Sequence, residues 1–541
     1  MNVRKKISLA STMFLAVTGF AQIKTSIPHL TKINGIEQLV VNDKPFLSLG
    51  GETGNSSTST AEYMRPHWAK LKAMHLNTVV APVYWELMEP TEGKFDFALV
   101  DSMLFNARKQ EMKLVLLWFG TWKNSMSCYA PAWVKKDVAR FERATTQDGK
   151  RHEILSAFSQ ATLTADIKAF TALMAHLKQL DQKQQTVIMI QVENEIGMLG
   201  DAREYTDNAN KAFAEEIPAT LSTYMQKNRN TVMSELKKVW DDAGGKSSGS
   251  WQQIFGTGTD ADEIFQAWYY ARFAGQVAAA GKKMYNLPMY VNAALNHRNA
   301  KPGVYPSAGP LPHLMDIWKA AAPDIDILSP DFYNPRFKYY NDLYVRAGNP
   351  LFIPEIHFDS SVGAKAMFAV GHYHAMGFSP FSIESLSPGA EPLAQAYKLL
   401  EQLWPTMQNA TANGKIMEGF LLDKANPVDS IQIGKYKVKV SHEHTLSWSS
   451  GAKDSTWPVV GSLIIQLSDD EFYIAGSGSV FTFTTNSPSA VTGILQSDEG
   501  YFRNGIWHVT RRMNGDQTHQ GRHVRIESDE WSIQKVKLYE Y

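Results

Sequence analysis

Cysteine is almost missing: Cys128 is the only one in 541 residues. One cysteine allows no internal disulfide and no cysteine-based metal site. An excess of either charge is missing too. Lys plus Arg and Asp plus Glu both number 54, so nothing points to nucleic acid or an anionic membrane as a partner. Beyond the first residues, no apolar run approaches the ~18 residues of a membrane helix. No Gly-x-Gly-x-x-Gly follows the first expected strand, which argues against a doubly wound dinucleotide-binding sheet. Gly244-Gly245-Lys246-Ser247 lacks the first glycine of a phosphate loop and follows no strand, so no nucleotide site is expected.

The start of the chain has the layout of a secretory signal: Arg4-Lys5-Lys6, an apolar Ile7 to Ala16, and the small-x-small Gly19-Phe20-Ala21. Residues 1–21 are therefore expected to be removed. That implies export, to a periplasm or outside the cell. Aromatics make up 11% of the chain, with 14 Trp, which suits either a large core or sugar-stacking surfaces.

Apolar runs recur between helical patterns. Lys44 to Glu52 reads as a strand ending in a Gly-rich turn, and Asn77 to Trp85 as a second. Lys113 to Phe119 and Thr186 to Val192 follow as the third and fourth. Pro288 to Leu295, Asp326 to Tyr333, Leu351 to Ile356 and Gly377 to Ile383 continue the series. Helical patterns lie between, such as Phe97 to Glu111, Leu163 to Leu180 and Gly275 to Tyr285. This alternation predicts an α/β fold, a (β/α)8 TIM barrel over residues 22–404. Residues 201–260 read as an insertion after strand four, helical at Lys211 to Trp240. After Trp404-Pro405, short alternating stretches predict an all-β, sandwich-like domain over 405–541.

The chemistry concentrates at Gln191-Val192-Glu193-Asn194-Glu195. Two carboxylates and two amides end a buried strand, where they are costly unless paired or used. That strand end is also where a barrel keeps its active site. Glu355 ends strand seven, across the mouth from strand four. Two carboxylates there suit glycosidic cleavage, one as acid/base and one as nucleophile. Trp122, Lys123 and Asn124 follow strand three in a loop expected to line the pocket. Trp122 could stack on a sugar, and Asn124 could bind a hydroxyl. Glu384 after strand eight could bind sugar hydroxyls or pair with a base, and the pair is the expectation. His357, His372 and His374 are read as polar packing, because His372-x-His374 diverges on a helix. No metal site is expected there.

Three stretches carry a resemblance. Tyr84-Trp85-Glu86-Leu87-Met88-Glu89-Pro90 runs on to Gly93-Lys94-Phe95-Asp96-Phe97. Gln191 to Gly197 reads Gln-x-Glu-Asn-Glu-x-Gly, and Glu355 closes strand seven. With these the chain resembles β-galactosidases of glycoside hydrolase family 35, within the clan of retaining TIM-barrel glycosidases. The resemblance implies Glu195 as acid/base, Glu355 as nucleophile and Asn194 as a ligand of the sugar 2-hydroxyl. It also implies a sugar-binding Tyr84 and a Tyr333 that hydrogen-bonds the nucleophile. Glu193 then remains as a structural partner. The implied substrate is an oligosaccharide with terminal β-galactose, and the implied mechanism uses no cofactor. Strand three departs from that family: Trp118-Phe119-Gly120-Thr121-Trp122-Lys123-Asn124-Ser125 replaces its Pro-Gly-Pro-Tyr type run. Another sugar, or a non-catalytic carbohydrate-binding barrel, are the rival readings.

Overall fold

All eight residues of Val187–Asn194 are buried, which a strand achieves only with structure packed on both faces. In the computed structural model, which describes residues 26–296, 300–386, 392–513 and 515–541, this is the fourth strand of a parallel barrel. The strands are β1 (Ser48–Leu49), β2 (Thr78–Tyr84), β3 (Lys113–Lys123), β4 (Val187–Asn194), β5 (Met289–Ala294), β6 (Ile327–Phe332), β7 (Ile353–Ile356) and β8 (Gly377–Pro380). From β2 to β8 each pairs with the next strand in sequence, and β8 pairs with β1. The seam between β1 and β2 closes through Asn77 N to Leu49 O (3.0 Å) and Val80 N to Gly51 O (2.9 Å). The expected signal segment, 1–21, lies outside the described residues.

Alternation explains the two-sided burial. Along β3, Val115, Leu117 and Phe119 pack inside the barrel with Ile188, Tyr290 and Phe352. Leu114, Leu116 and Trp118 pack outward beneath the helices. Two long helices cover β4. Helix α1 (Gln160–Asp181) starts at Ser159, whose side chain accepts the Thr162 N–H. It buries Leu163, Phe170, Leu173, Met174 and Leu177, at helical spacing. Helix α2 (Thr259–Met284) crosses it closely at Gly281, where a Cβ would lie 2.3 Å from the Phe170 ring.

Two expectations change. Ahead of the expected first strand, where the sequence reading placed no element, His29–Ile33 and Ile36–Val41 form a three-stranded sheet with Lys44–Pro45. Its Leu39 and Val41 plug the barrel interior. The segment 211–240 is not one helix but three short ones, Asp207–Ala214, Ala219–Lys227 and Ser234–Asp242. Pro218 caps the second of these and has no N–H to continue a helix through it.

The C-terminal strands form a six-stranded and a four-stranded antiparallel sheet around a core that includes Phe420, Val438, Ile464, Phe472, Phe481 and Val536. The larger sheet lies against α3 (Val362–Tyr373), the helix between β7 and β8. Contact is close because glycines meet there: a Cβ on Gly371 would stand 2.8 Å from Gly419 Cα, and one on Gly461 2.5 Å from Ala364 Cα. This domain therefore braces the side of the barrel. No helix among the described residues is long and apolar enough to cross a membrane.

Candidate active site

The backbone at the end of β4 is contorted. Glu193 and Glu195 both have positive φ, 61° and 41°, an uncommon conformation for residues with a Cβ. The cause lies in β3. Its register runs from Trp118 opposite Val192 to Lys123 opposite Asn194, so β3 bulges between them. Glu193 clamps the bulge: its Oε2 accepts the Trp122 N–H at 2.7 Å. Asp166 of α1 takes the Trp118 indole N–H at 2.8 Å and the Thr121 N–H at 3.1 Å. Burial, then the Asp166 charge, holds the Glu193 carboxyl well above its usual range. Gly120 is needed in the bulge, since a Cβ there would sit 2.2 Å from the Trp118 indole nitrogen.

The bulge overturns the expectation for Trp122. Its side chain turns away from the mouth, is 0% exposed, and donates its indole N–H to Leu155 O at 3.0 Å. It packs on Tyr270 and Phe273, so no face is open to a sugar. Tyr84 is likewise packed, 3% exposed, against Phe119 and Tyr129. Its hydroxyl accepts from Thr58 at 3.0 Å.

The bulge brings Lys123 and Asn124 to the mouth. Asn124 donates its amide to Glu195 Oε2 and accepts from the Lys123 ammonium. The main chain of β4 is tied down by Asn124 N to Asn194 O (3.2 Å), Ser125 N to Glu195 O (3.1 Å) and Glu195 N to Asn292 Oδ1 (2.9 Å). Across the mouth, the Tyr333 hydroxyl donates to Glu355 Oε1. Carboxylate oxygens of Glu195, Asp331 and Glu355 all lie within 4.8 Å of one another. That spacing could also bridge a cation; the charge already facing the group is Lys123, whose field lowers both Glu195 and Glu355. Asn194 is fully buried, with neither amide atom partnered.

The sequence reading had not singled out Glu52, Asp331 or Asn292. Glu52 bridges Val80 and Phe381 at the barrel seam, and the charge on Glu355 adds to the rise of its buried carboxyl. Asp331 sits opposite Glu355 in the β6–β7 register. It accepts the Asn292 amide at 2.6 Å, and its carboxylate lies within 4.8 Å of those of Glu195 and Glu355. The signal was available: each is a buried polar residue near the C-terminal end of a barrel strand, the same criterion that picked out Glu195. Glu384 pairs with no base among the described residues. It accepts the Gly54 N–H and the Ser57 hydroxyl, shaping the loop after β1.

Burial sets the electrostatics. It pushes the Glu355 carboxyl up to about 7, with the Glu195 charge adding to the rise and Lys123 and Tyr333 opposing it. Burial also raises Glu195, against Lys123. It holds Glu52 and Asp331 well above the carboxylate range, reinforced in both by the charge on Glu355. The mouth can thus supply a proton, hold an anion and present an unsatisfied amide, the needs of acid-assisted displacement.

Comparison with known proteins agrees with that chemistry. A glycoside hydrolase family 42 model, described as β-galactosidase, matches residues 56–336. A domain of unknown function, DUF5597, matches 393–525. A β-galactosidase from Xanthomonas manihotis is 29% identical over 177 residues, 31% of this chain and 27% of that protein. The Homo sapiens β-galactosidase-1-like protein 3 is 32% identical over 157 residues, 28% of this chain and 22% of that protein. The chain thus spans about a quarter of the length of these curated relatives. Among solved structures, a catalytic mutant of Gan42B, a family 42 β-galactosidase from G. stearothermophilus, gives a TM-score of 0.47 at 10% identity, covering 92% of this chain and 98% of that one. A β-galactosidase from Bacillus circulans sp. alkalophilus gives 0.44 at 16% identity, covering 66% and 56%. The matching model is that of family 42 rather than family 35; the two share a clan.

Proposed function

The chain belongs to the β-galactosidase family of glycoside hydrolases described by the family 42 model, and from that premise we propose a retaining enzyme that removes terminal β-D-galactosyl residues from oligosaccharides. The observation that carries the proposal is the spacing of the two carboxylates, whose nearest oxygens lie within 4.8 Å. Retaining enzymes hold the pair ~5–5.5 Å apart, whereas inverting ones leave ~6.5–9.5 Å for a water.

In this reading Glu355 attacks the anomeric carbon while Glu195 protonates the departing glycosidic oxygen. A glycosyl ester on Glu355 results. Glu195, now ionised, takes a proton from water as that water attacks the same carbon, and Glu355 leaves as a carboxylate. The raised Glu195 carboxyl suits a group that must be protonated first and ionised second. Tyr333 orients the nucleophile. The unpartnered Asn194 amide is free to bind the 2-hydroxyl, a contact that strengthens in the transition state. Kinship closer to family 35 rests on Gln191 to Gly197, and export rests on residues 1–21.

A second reading, a β-glycosidase for another sugar, is favoured by the β3 bulge, which buries Trp122 and presents Asn124 instead. Hydrolysis of a panel of aryl β-glycosides by wild type, Glu195→Gln and Glu355→Gln separates the two. The galactoside alone should be cleaved, and both variants should lose turnover. Cleavage of a different glycoside overturns the sugar assignment, and full activity in either variant overturns the mechanism.

A further inference from the structure

Beyond its bulge, β3 ends in a two-residue hairpin turn. Lys123 N donates to Met126 O at 2.7 Å and Met126 N to Lys123 O at 3.0 Å. Asn124 and Ser125 between them both have positive φ, 48° and 68°. Such a turn requires positive φ at both central residues and favours Asn and Gly there. Asn124 fits that preference, whereas Ser125 carries a Cβ and is buried, so it sits there at a cost. The turn is pinned to β4 through Asn124 N to Asn194 O and Ser125 N to Glu195 O. The Asn124 side chain is thereby held beside Glu195.

Three side chains then run in series. The Lys123 ammonium donates to Asn124 Oδ1, and Asn124 Nδ2 donates to Glu195 Oε2. The direction of the amide is settled by its neighbours. An ammonium has only donors, so the atom facing Lys123 is the amide oxygen, and the NH2 group faces the carboxyl. Lys123 is itself confined, buried with its ammonium 5.2 Å above the centre of the Phe119 ring. This has a consequence for the acid. In a carboxylic acid the hydroxyl oxygen is a poorer acceptor than the carbonyl oxygen. A donor on Oε2 therefore leaves the proton of Glu195 on Oε1.

We propose that Asn124 is a positioning residue that reserves one oxygen of Glu195 for proton transfer, and that Lys123 locks the Asn124 amide in the direction this requires. The Oε1–H bond breaks as its proton passes to the glycosidic oxygen, whose bond to the anomeric carbon breaks in the same step. Oε1 later takes the proton of the attacking water. Throughout, Oε2 stays on the amide, and that hydrogen bond strengthens as the carboxyl ionises. The inference rests on the assignment of Glu195 as acid/base.

Leaving groups separate this role from a contact to the sugar. Acid assistance counts for little when the departing phenolate is stable by itself and for much when it is not. A contact to the galactosyl unit acts alike on every member of such a series. The measurement is kcat/KM for dinitrophenyl, nitrophenyl, phenyl and alkyl β-galactosides with wild type, Asn124→Ala, Asn124→Asp, Lys123→Met and Glu195→Gln. Asn124→Asp keeps the shape and the contact to Lys123 but has no hydrogen to donate. Both Asn124 variants should lose about 10- to 100-fold more on the alkyl than on the dinitrophenyl galactoside, the effect of one hydrogen bond to a charged acceptor. Lys123→Met should steepen the series in the same direction. The ratio between substrates does not depend on how much of a variant is folded. A uniform loss across the series would make Asn124 a sugar contact and overturn the proposal, and so would an Asn124→Asp series that matches wild type. If Glu195→Gln shows no such dependence, the acid/base assignment fails instead. Nuclear magnetic resonance of protein with nitrogen-labelled asparagine gives an answer without turnover. The side-chain amide signal lost in Asn124→Asp should shift in both Lys123→Met and Glu195→Gln. A signal unmoved by both refutes the series of contacts, whatever the enzyme cleaves.

Discussion

Replacing Tyr333 with Phe removes one hydroxyl and keeps the ring. The ring packs 6.0 Å from His357, and Phe preserves that contact. The hydroxyl donates to Glu355 Oε1 and opposes a rise that already brings Glu355 to about 7. A hydrogen bond to a charged acceptor contributes about 1.5–3 kcal/mol. Tyr333 is 52% exposed, so the lower end applies, roughly one pKa unit. The sign is fixed by the donor's preference for the ionised acceptor: losing it raises Glu355. A nucleophile must be ionised, so the acid limb of kcat/KM should move from near 7 to near 8. At pH 7 the ionised fraction would drop from about a half to about a tenth, a loss of roughly fivefold from titration alone. Above pH 9 the two enzymes should converge except for lost orientation of Glu355. The assay is a pH series of kcat/KM on an aryl β-galactoside. An acid limb that stays put or moves to lower pH would refute the reasoning.

Trp122→Ala should lower stability by about 3–5 kcal/mol, the cost of a large cavity, because the indole is fully buried against Tyr270 and Phe273. Denaturant unfolding checks this; an unchanged midpoint with a raised KM would restore Trp122 as a sugar platform. Glu193→Gln should gain stability relative to wild type as pH rises above the ordinary carboxylate range. Wild-type Glu193 is held well above its usual range, so the folded state keeps a proton that the unfolded chain releases, and its stability falls with pH. The amide has no such proton to lose. Melting temperatures of both proteins from pH 5 to 9 should diverge in that direction; parallel curves would argue that Glu193 is ionised.

Much of the site could be read before folding. Eight apolar runs between helical patterns announced the barrel, because strand burial and helix periodicity are properties of neighbouring residues. Glu195 and Glu355 stood out because an ionisable group ending a buried strand needs a reason to be there. Trp122 was misplaced for a related cause. Period-two alternation gives the direction of a side chain only while the ladder stays regular. The bulge between Trp118 and Lys123 breaks it, and that bulge depends on Asp166, which lies on α1.

By itself, then, the sequence determined the barrel, the two carboxylates at opposite strand ends and the amide beside one of them. Tertiary structure alone decided which carboxyls gather at the mouth. Glu52 lies about 300 positions from Glu355 along the chain, and no local pattern relates them. Only closure of the barrel, with β1 paired to β8, brings Glu52 to the end that holds Glu355. Burial there, where ionised carboxyls cannot be hydrated, raises both above the ordinary carboxylate range.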